Sequence, residues 1–152
     1  MKVLVLNGSP KGERSNTYRL TGAFLDGVRQ VQQTDVEVLE VGKLHLLPCQ
    51  GCFACWSKTP GKCVLQDDMS AVIEKLLSAD MLIWSFPLYY FSIPGQLKLL
   101  IDRQLPMSLP FMTDHASGGH PSRYDRSSQR QVVISTCGFY TADGNYDAVD
   151  AQ

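Results

Sequence analysis

The chain has 152 residues, 44% of them hydrophobic, which is enough to bury one sizeable core in a single domain spanning residues 1–152. Fourteen basic residues against 15 acidic ones leave a net charge of -1, and with no long run of either sign the electrostatic footprint of a nucleic-acid binder is missing. No stretch approaches the ~18 apolar residues of a membrane span, and Met1 leads into Val3 to Leu6 without separate leader regions. The expectation is a cytoplasmic protein with neither nucleic acid nor membrane as partner.

Val3 to Leu6 is a continuous apolar run stopped by Asn7-Gly8-Ser9-Pro10, which predicts a strand buried on both faces and then a loop. From Thr17 onward Leu20, Phe24, Val28 and Val31 recur at helical spacing, with Ser15 or Asn16 as the cap. Val36, Val38, Leu39 and Val41 follow a polar break and predict a second strand. The next segment holds four of the five cysteines and little periodicity. Asp67 and Asp68 then open a helix whose Met69, Val72, Ile73, Leu76 and Leu77 share one face. Met81 to Phe86 predicts a third strand, and Pro94-Gly95 starts a short helix through Leu97, Leu100 and Ile101. Leu105 to Arg130 is long and polar, a length that inside a compact domain marks a functional or mobile loop. Val132 to Ile134 predicts a fourth strand.

Alternation of this kind builds a doubly wound α/β sheet of parallel strands. The ligand crevice of such a sheet lies beyond the carboxyl ends of its strands. Three loops reach that place: Gly8 to Thr17, Pro87 to Ser92 and Thr136 to Tyr140. In the first, small residues bring backbone N–H groups and hydroxyls to a helix start, which suits a phosphate; an ordinary Ser/Gly-rich turn is the plainer alternative. Neither G-x-x-x-x-G-K-[ST] nor G-x-G-x-x-G is present, which argues against a P-loop NTPase and a Rossmann dehydrogenase. The second loop carries Tyr89, Tyr90 and Phe91 in succession, where a flat apolar group could stack; core or interface packing is the alternative. The third loop adds a small-residue turn with Phe139 and Tyr140, in which Cys137 reads as a small buried residue. His45 lies in an apolar stretch, and His115 and His120 sit in the long loop without ligand-like spacing, so no histidine receives a catalytic role.

Gly8-Ser9-Pro10-Lys11 ending in Ser15-Asn16-Thr17, Pro87-Leu88-Tyr89-Tyr90 running into Pro94-Gly95-Gln96-Leu97-Lys98, Ile101-Asp102-Arg103, and Thr136-Cys137-Gly138 together resemble the NADPH-dependent FMN reductase and iron-sulfur flavoprotein group of the flavodoxin-like superfamily. The resemblance implies a flavodoxin-like fold, with the strands found in the order 2-1-3-4, and bound FMN. It implies that Ser9, Lys11, Ser15, Asn16 and Thr17 hold the FMN phosphate, that Pro87, Leu88, Tyr89, Tyr90 and Phe91 carry the isoalloxazine edge, and that Thr136, Cys137, Gly138 and Phe139 take its other side. It further implies hydride transfer from NAD(P)H through the flavin to a quinone, a flavin or another small acceptor, in a homodimer or homotetramer. The alternative it carries is an electron-transfer carrier working between proteins. No acid or base catalyst is assigned, because the flavin supplies the chemistry. A flavodoxin-like sheet has five strands, whereas four are found before the chain stops at Gln152 in what reads as a helix from Asn145; the domain is expected to be incomplete at its C-terminal end.

Cys49, Cys52 and Cys55 are spaced C-x2-C-x2-C and followed by Cys63. Four thiolates so close suit a tetrahedral zinc or a cubane iron-sulfur cluster, and free or redox-labile thiols are the third option. The resemblance sharpens this, since C-x2-C-x2-C-x7-C before Asp67-Asp68-Met69 matches the compact motif that carries a [4Fe-4S] cluster in iron-sulfur flavoproteins.

Overall fold

The computed structural model describes residues 1–113, 119–140 and 142–147. His115 and most of the helix expected from Asn145 lie outside them. The strands are β1 (Lys2–Asn7), β2 (Asp35–Glu40), β3 (Met81–Pro87) and β4 (Arg130–Thr136). Among the described residues they form one parallel sheet in the order β2-β1-β3-β4. The helices are α1 (Asn16–Val31), a one-turn α2 (Ala54–Ser57), α3 (Met69–Ser78) and α4 (Gly95–Asp102).

Alternate residues of the strands feed two cores, as the pleat requires. Val3, Val5, Met81, Ile83 and Ile134 pack with Leu25 of α1 on one face. Leu4, Leu6, Leu82 and Phe86 pack with Met69, Val72 and Leu76 of α3 and Leu97 and Leu100 of α4 on the other. The continuous apolar runs of β1 and β3 are therefore strands covered on both faces. Crossover helices between parallel neighbours bring the carboxyl ends of β1, β3 and β4 to one rim of the sheet.

One expected face is turned. The inward residues of α1 are Thr17, Thr21 and Leu25, while Leu20 stands 51% exposed and Phe24 and Val31 also face outward. The threonines win the inward face because their hydroxyls have partners there. Thr21 Oγ1 donates to Thr17 O at 3.0 Å and lies 2.8 Å from Ser85 Oγ, whose proton it can accept, so the two buried hydroxyls are both paired. Leu20 and Phe24 line a shallow surface groove with Val133 of the edge strand β4, itself 56% exposed.

The described residues on either side of 114–118 in the long loop make more contacts with the rest of the fold than their polarity predicts. Gln129 Nε2 donates to the Leu76 and Ala79 carbonyls and caps the end of α3. The Trp56 ring, whose Nε1 donates to Leu105 O at 3.1 Å, stacks on His120 with ring centroids 4.8 Å apart. The long loop and the cysteine segment thus pack against each other, and His120 is a structural clasp between them.

Candidate functional site

Asn7 ends β1 fully buried, and Gly8 follows in a tight place: a Cβ there would meet Leu97 Cδ2 at 3.1 Å, so that Leu97 of α4 would have to give by a few tenths of an ångström. Asn7 Oδ1 accepts from Ser9 N at 3.2 Å and Ser9 Oγ from Lys11 N at 3.3 Å, which folds the loop back on itself. The Asn7 amide nitrogen is left buried without a protein partner. Ser15 is the cap of α1, its Oγ accepting from Tyr18 N at 3.1 Å. Ser9, Ser15 and Thr17 are buried, whereas Lys11 and Asn16 stand exposed at the helix start.

The other two loops are tied to this one. Thr17 Oγ1 and the Thr136 hydroxyl share a hydrogen bond of 2.5 Å, and Leu88 N donates to Thr136 O at 2.8 Å. Leu88 itself is a core side chain, so its contribution to the rim is through its backbone. Tyr89 and Ser92 exchange N–H···O bonds across a tight turn whose central residues, Tyr90 and Phe91, both adopt left-handed backbone (φ 51° and 65°). For two bulky aromatics this conformation costs about 1–3 kcal/mol each. The Tyr90 ring is 96% exposed. Phe91 meets Phe139 at a centroid distance of 4.9 Å, and Phe139 meets Tyr146 at 5.8 Å, so aromatic rings from two loops form one ledge. The Cys137 thiol beneath it is partly buried, donating to Phe139 O at 3.2 Å and standing 3.2 Å from the Tyr146 hydroxyl. Residues 9–17, the aromatic turn and the 136–139 turn are brought to one rim; the orphaned Asn7 amide and the exposed ledge fit a phosphorylated, flat aromatic cofactor.

A second locus lies to the side. Positive φ at Gly51 and Phe53 bends the chain sharply between the cysteines, and Cys49, Cys52, Cys55 and Cys63 all line one pocket. Burial first, and then the neighbouring Cys63 sulfur, push the Cys55 thiol above its ordinary pKa. No three His, Cys, Asp or Glu side chains among the described residues are gathered closely enough to hold a single metal ion. Zinc, with Zn–S bonds of about 2.3 Å, needs its four sulfurs drawn tightly together. A cubane cluster is a larger body that takes one thiolate at each of four corners, and the four cysteines line one pocket without being gathered into a cluster site among the described residues.

Asp67 and Arg103 brace this pocket, and sequence reading gave them no part in it. Arg103, 1% exposed at the end of α4, donates NH1 to Asp67 Oδ2 at 2.6 Å and NH2 to Asp67 Oδ1 at 2.9 Å. NH1 also donates to Leu47 O at 2.6 Å, while Leu47 N and Met69 N donate to the Asp67 carboxylate at 2.8 and 3.1 Å. Burial works against the Asp67 charge, but the Arg103 guanidinium and the two amides outweigh it and hold the carboxyl below its usual pKa. A lone Asp and a lone Arg 36 positions apart leave no periodic trace; only the buried fork reveals them.

Residues 1–117 match the family model described as NADPH-dependent FMN reductase. An iron-sulfur flavoprotein of Methanocaldococcus jannaschii is 34% identical over 119 residues, 78% of this chain and 60% of the relative. The FMN-dependent NAD(P)H:quinone oxidoreductase 1 of Pseudomonas aeruginosa is 30% identical over 118 residues, 72% of this chain and 56% of the relative. The chain thus spans little more than half the length of these curated relatives. An FMN-dependent NADH-azoreductase from Bacillus anthracis, solved with FMN, superposes with a TM-score of 0.67 at 21% identity, covering 99% of this chain and 76% of that one. An NAD(P)H:quinone oxidoreductase from Methanothermobacter marburgensis gives 0.68 at 20% identity over 92% and 66%. These two likenesses show the flavodoxin-like fold. With 117 of 152 residues matched by its model, the chain belongs to the NADPH-dependent FMN reductase family.

Proposed function

We propose that this chain binds FMN at the rim formed by β1, β3 and β4 and serves an NAD(P)H-dependent oxidoreductase that reduces a quinone, a flavin or another small acceptor. The observation that carries the reading is the joining of three loops by the Thr17–Thr136 and Leu88–Thr136 bonds beneath a strained, exposed aromatic turn. Lys11 and Asn16, with the positive end of α1, would hold the phosphate, and Ser9, Ser15 and Thr17 would set that loop's shape. Pro87 to Phe91 and Thr136 to Phe139 would flank the ring. FMN, when bound, would supply the hydride and electron transfer. The protein's part is then to position the ring, shield one of its faces and leave the other open to a nicotinamide and an acceptor in turn.

Relatives named for quinone reduction and for iron-sulfur flavoproteins both support the reading. A cytoplasmic homodimer or homotetramer fits it too. Purified protein loaded with FMN should oxidise NADPH or NADH in steady state when a benzoquinone is added. Flavin-loaded protein that oxidises neither with a quinone, free flavin or azo dye would contradict the enzymatic reading.

A second reading, an electron carrier with a [4Fe-4S] cluster, is favoured by one observation: all four cysteines of the C-x2-C-x2-C-x7-C segment face the same pocket.

A further inference from the structure

Every hydrogen bond found for the Arg103 guanidinium goes to Asp67 or Leu47, through NH1 and NH2. Its remaining edge, Nε–H, is buried and makes no hydrogen bond within the protein. A buried charged donor left unpaired costs roughly 1–3 kcal/mol or more, so its retention calls for an acceptor. Arg103 lines the pocket that Cys49, Cys52, Cys55 and Cys63 line, in company with Leu105 and Pro106. Cys63 shares this pocket wall with Arg103, in keeping with which, against the effect of burial, Asp67 and the Cys63 sulfur raise the guanidinium pKa above its ordinary value. The neighbouring acid, Asp102, is engaged elsewhere, with Lys98.

We propose that Arg103 is a positioning residue of the cysteine pocket, donating its Nε–H to the Cys63 sulfur and setting a buried positive charge against an iron-sulfur cluster held there. The inference rests on the cluster reading of the four cysteines. Four thiolates on a cubane leave the assembly negative, and hydrogen bonds to the sulfurs and nearby charge set both how tightly it is held and its potential. Asp67 occupies NH1 and NH2 and holds the guanidinium plane, which leaves Nε–H as the edge still to be paired. The carboxylate acts on the cluster only through Arg103.

The test uses the full chain, reconstituted anaerobically with ferrous iron and sulfide, as wild type, Arg103→Lys and Asp67→Asn. Arg103→Lys keeps a positive charge and loses the Nε–H donor. It should surrender iron to a chelator about 10-fold or more faster than wild type, the loss expected of a removed outer-sphere partner. Its cluster should also titrate at a more negative potential by EPR, while FMN uptake stays as in wild type. Asp67→Asn loosens the fork but keeps donor and charge, and its potential should not move in the negative direction. If Arg103→Lys matches wild type in iron retention and potential, or if both variants lose iron equally with unmoved potentials, Arg103 is a structural clamp only and the proposal falls. Should Arg103→Lys not fold, wild type grown on arginine labelled with nitrogen-15 at Nε decides. Pulsed EPR of the reduced cluster should then show the weak nitrogen coupling change isotope, and an unchanged spectrum overturns the proposal. Wild-type protein that takes up FMN but neither iron nor sulfide overturns the cluster reading and this inference together, whereas normal loading with an indifferent Arg103→Lys overturns the inference alone.

Discussion

Tyr90 and Phe91 illustrate how a residue can be legible in type and illegible in conformation. Three aromatics in a row on a loop after a buried strand point to a stacking surface, because loops there are usually polar. That two of them sit at positive φ has no sequence signature, since the turn is set by the reciprocal Tyr89–Ser92 bonds rather than by a glycine. The strain gives a test. Tyr90 is almost wholly exposed, so Tyr90→Gly removes little packing and relieves a left-handed backbone. Urea unfolding should show the variant unchanged or more stable by up to about 1 kcal/mol. Flavin titration should show weaker FMN binding. A variant that is less stable and binds FMN as wild type does would mean that the turn serves the fold alone. The phosphate loop divides similarly: sequence groups Ser9, Lys11, Ser15, Asn16 and Thr17, while structure separates the buried three, which shape the loop, from Lys11 and Asn16, which face solvent.

At the scale of elements, the strands and α3 follow directly from their apolar patterns, and Asp67-Asp68 does mark the start of α3. The face of α1 does not follow, because hydroxyl pairing at Thr17 and Thr21 outcompetes the Leu20–Phe24 stripe. The link between the cysteine segment and the long loop is invisible in sequence. It depends on single side chains, Trp56, His120 and Arg103, meeting across large separations. The Asp67–Arg103 pair that anchors this region makes its stability acid-sensitive. Because the Asp67 pKa is lowered in the folded chain, its contribution is complete above the ordinary value of 3.8 and is lost as the pH falls from there through the depressed folded value. At neutral pH, Asp67→Asn should cost about 3–5 kcal/mol, since it leaves a buried guanidinium without its counter-charge. Urea midpoints of wild type and variant should converge as the pH falls below that value. A gap that stays constant from neutral pH into acid would contradict the account.

In the whole molecule, the parallel order β2-β1-β3-β4 decides where function sits, by sending three unrelated loops to one rim. Strand-helix alternation makes the parallel sheet legible in the sequence, while the order itself follows from the flavodoxin-like resemblance and is the one observed. What it leaves open is the margin beside β4, where Leu20, Phe24 and Val133 face outward. The rim is the centre of the account, and cofactor titration addresses it most directly. Fluorescence titration of the apoprotein should show FMN bound stoichiometrically and riboflavin much more weakly. Replacing Lys11 and Asn16 together by alanine should weaken FMN by about 10-fold or more while leaving riboflavin unchanged, because only FMN offers a phosphate to the start of α1. Failure to bind FMN, or equal loss of both ligands in the double variant, would contradict the assignment of this rim as a flavin site.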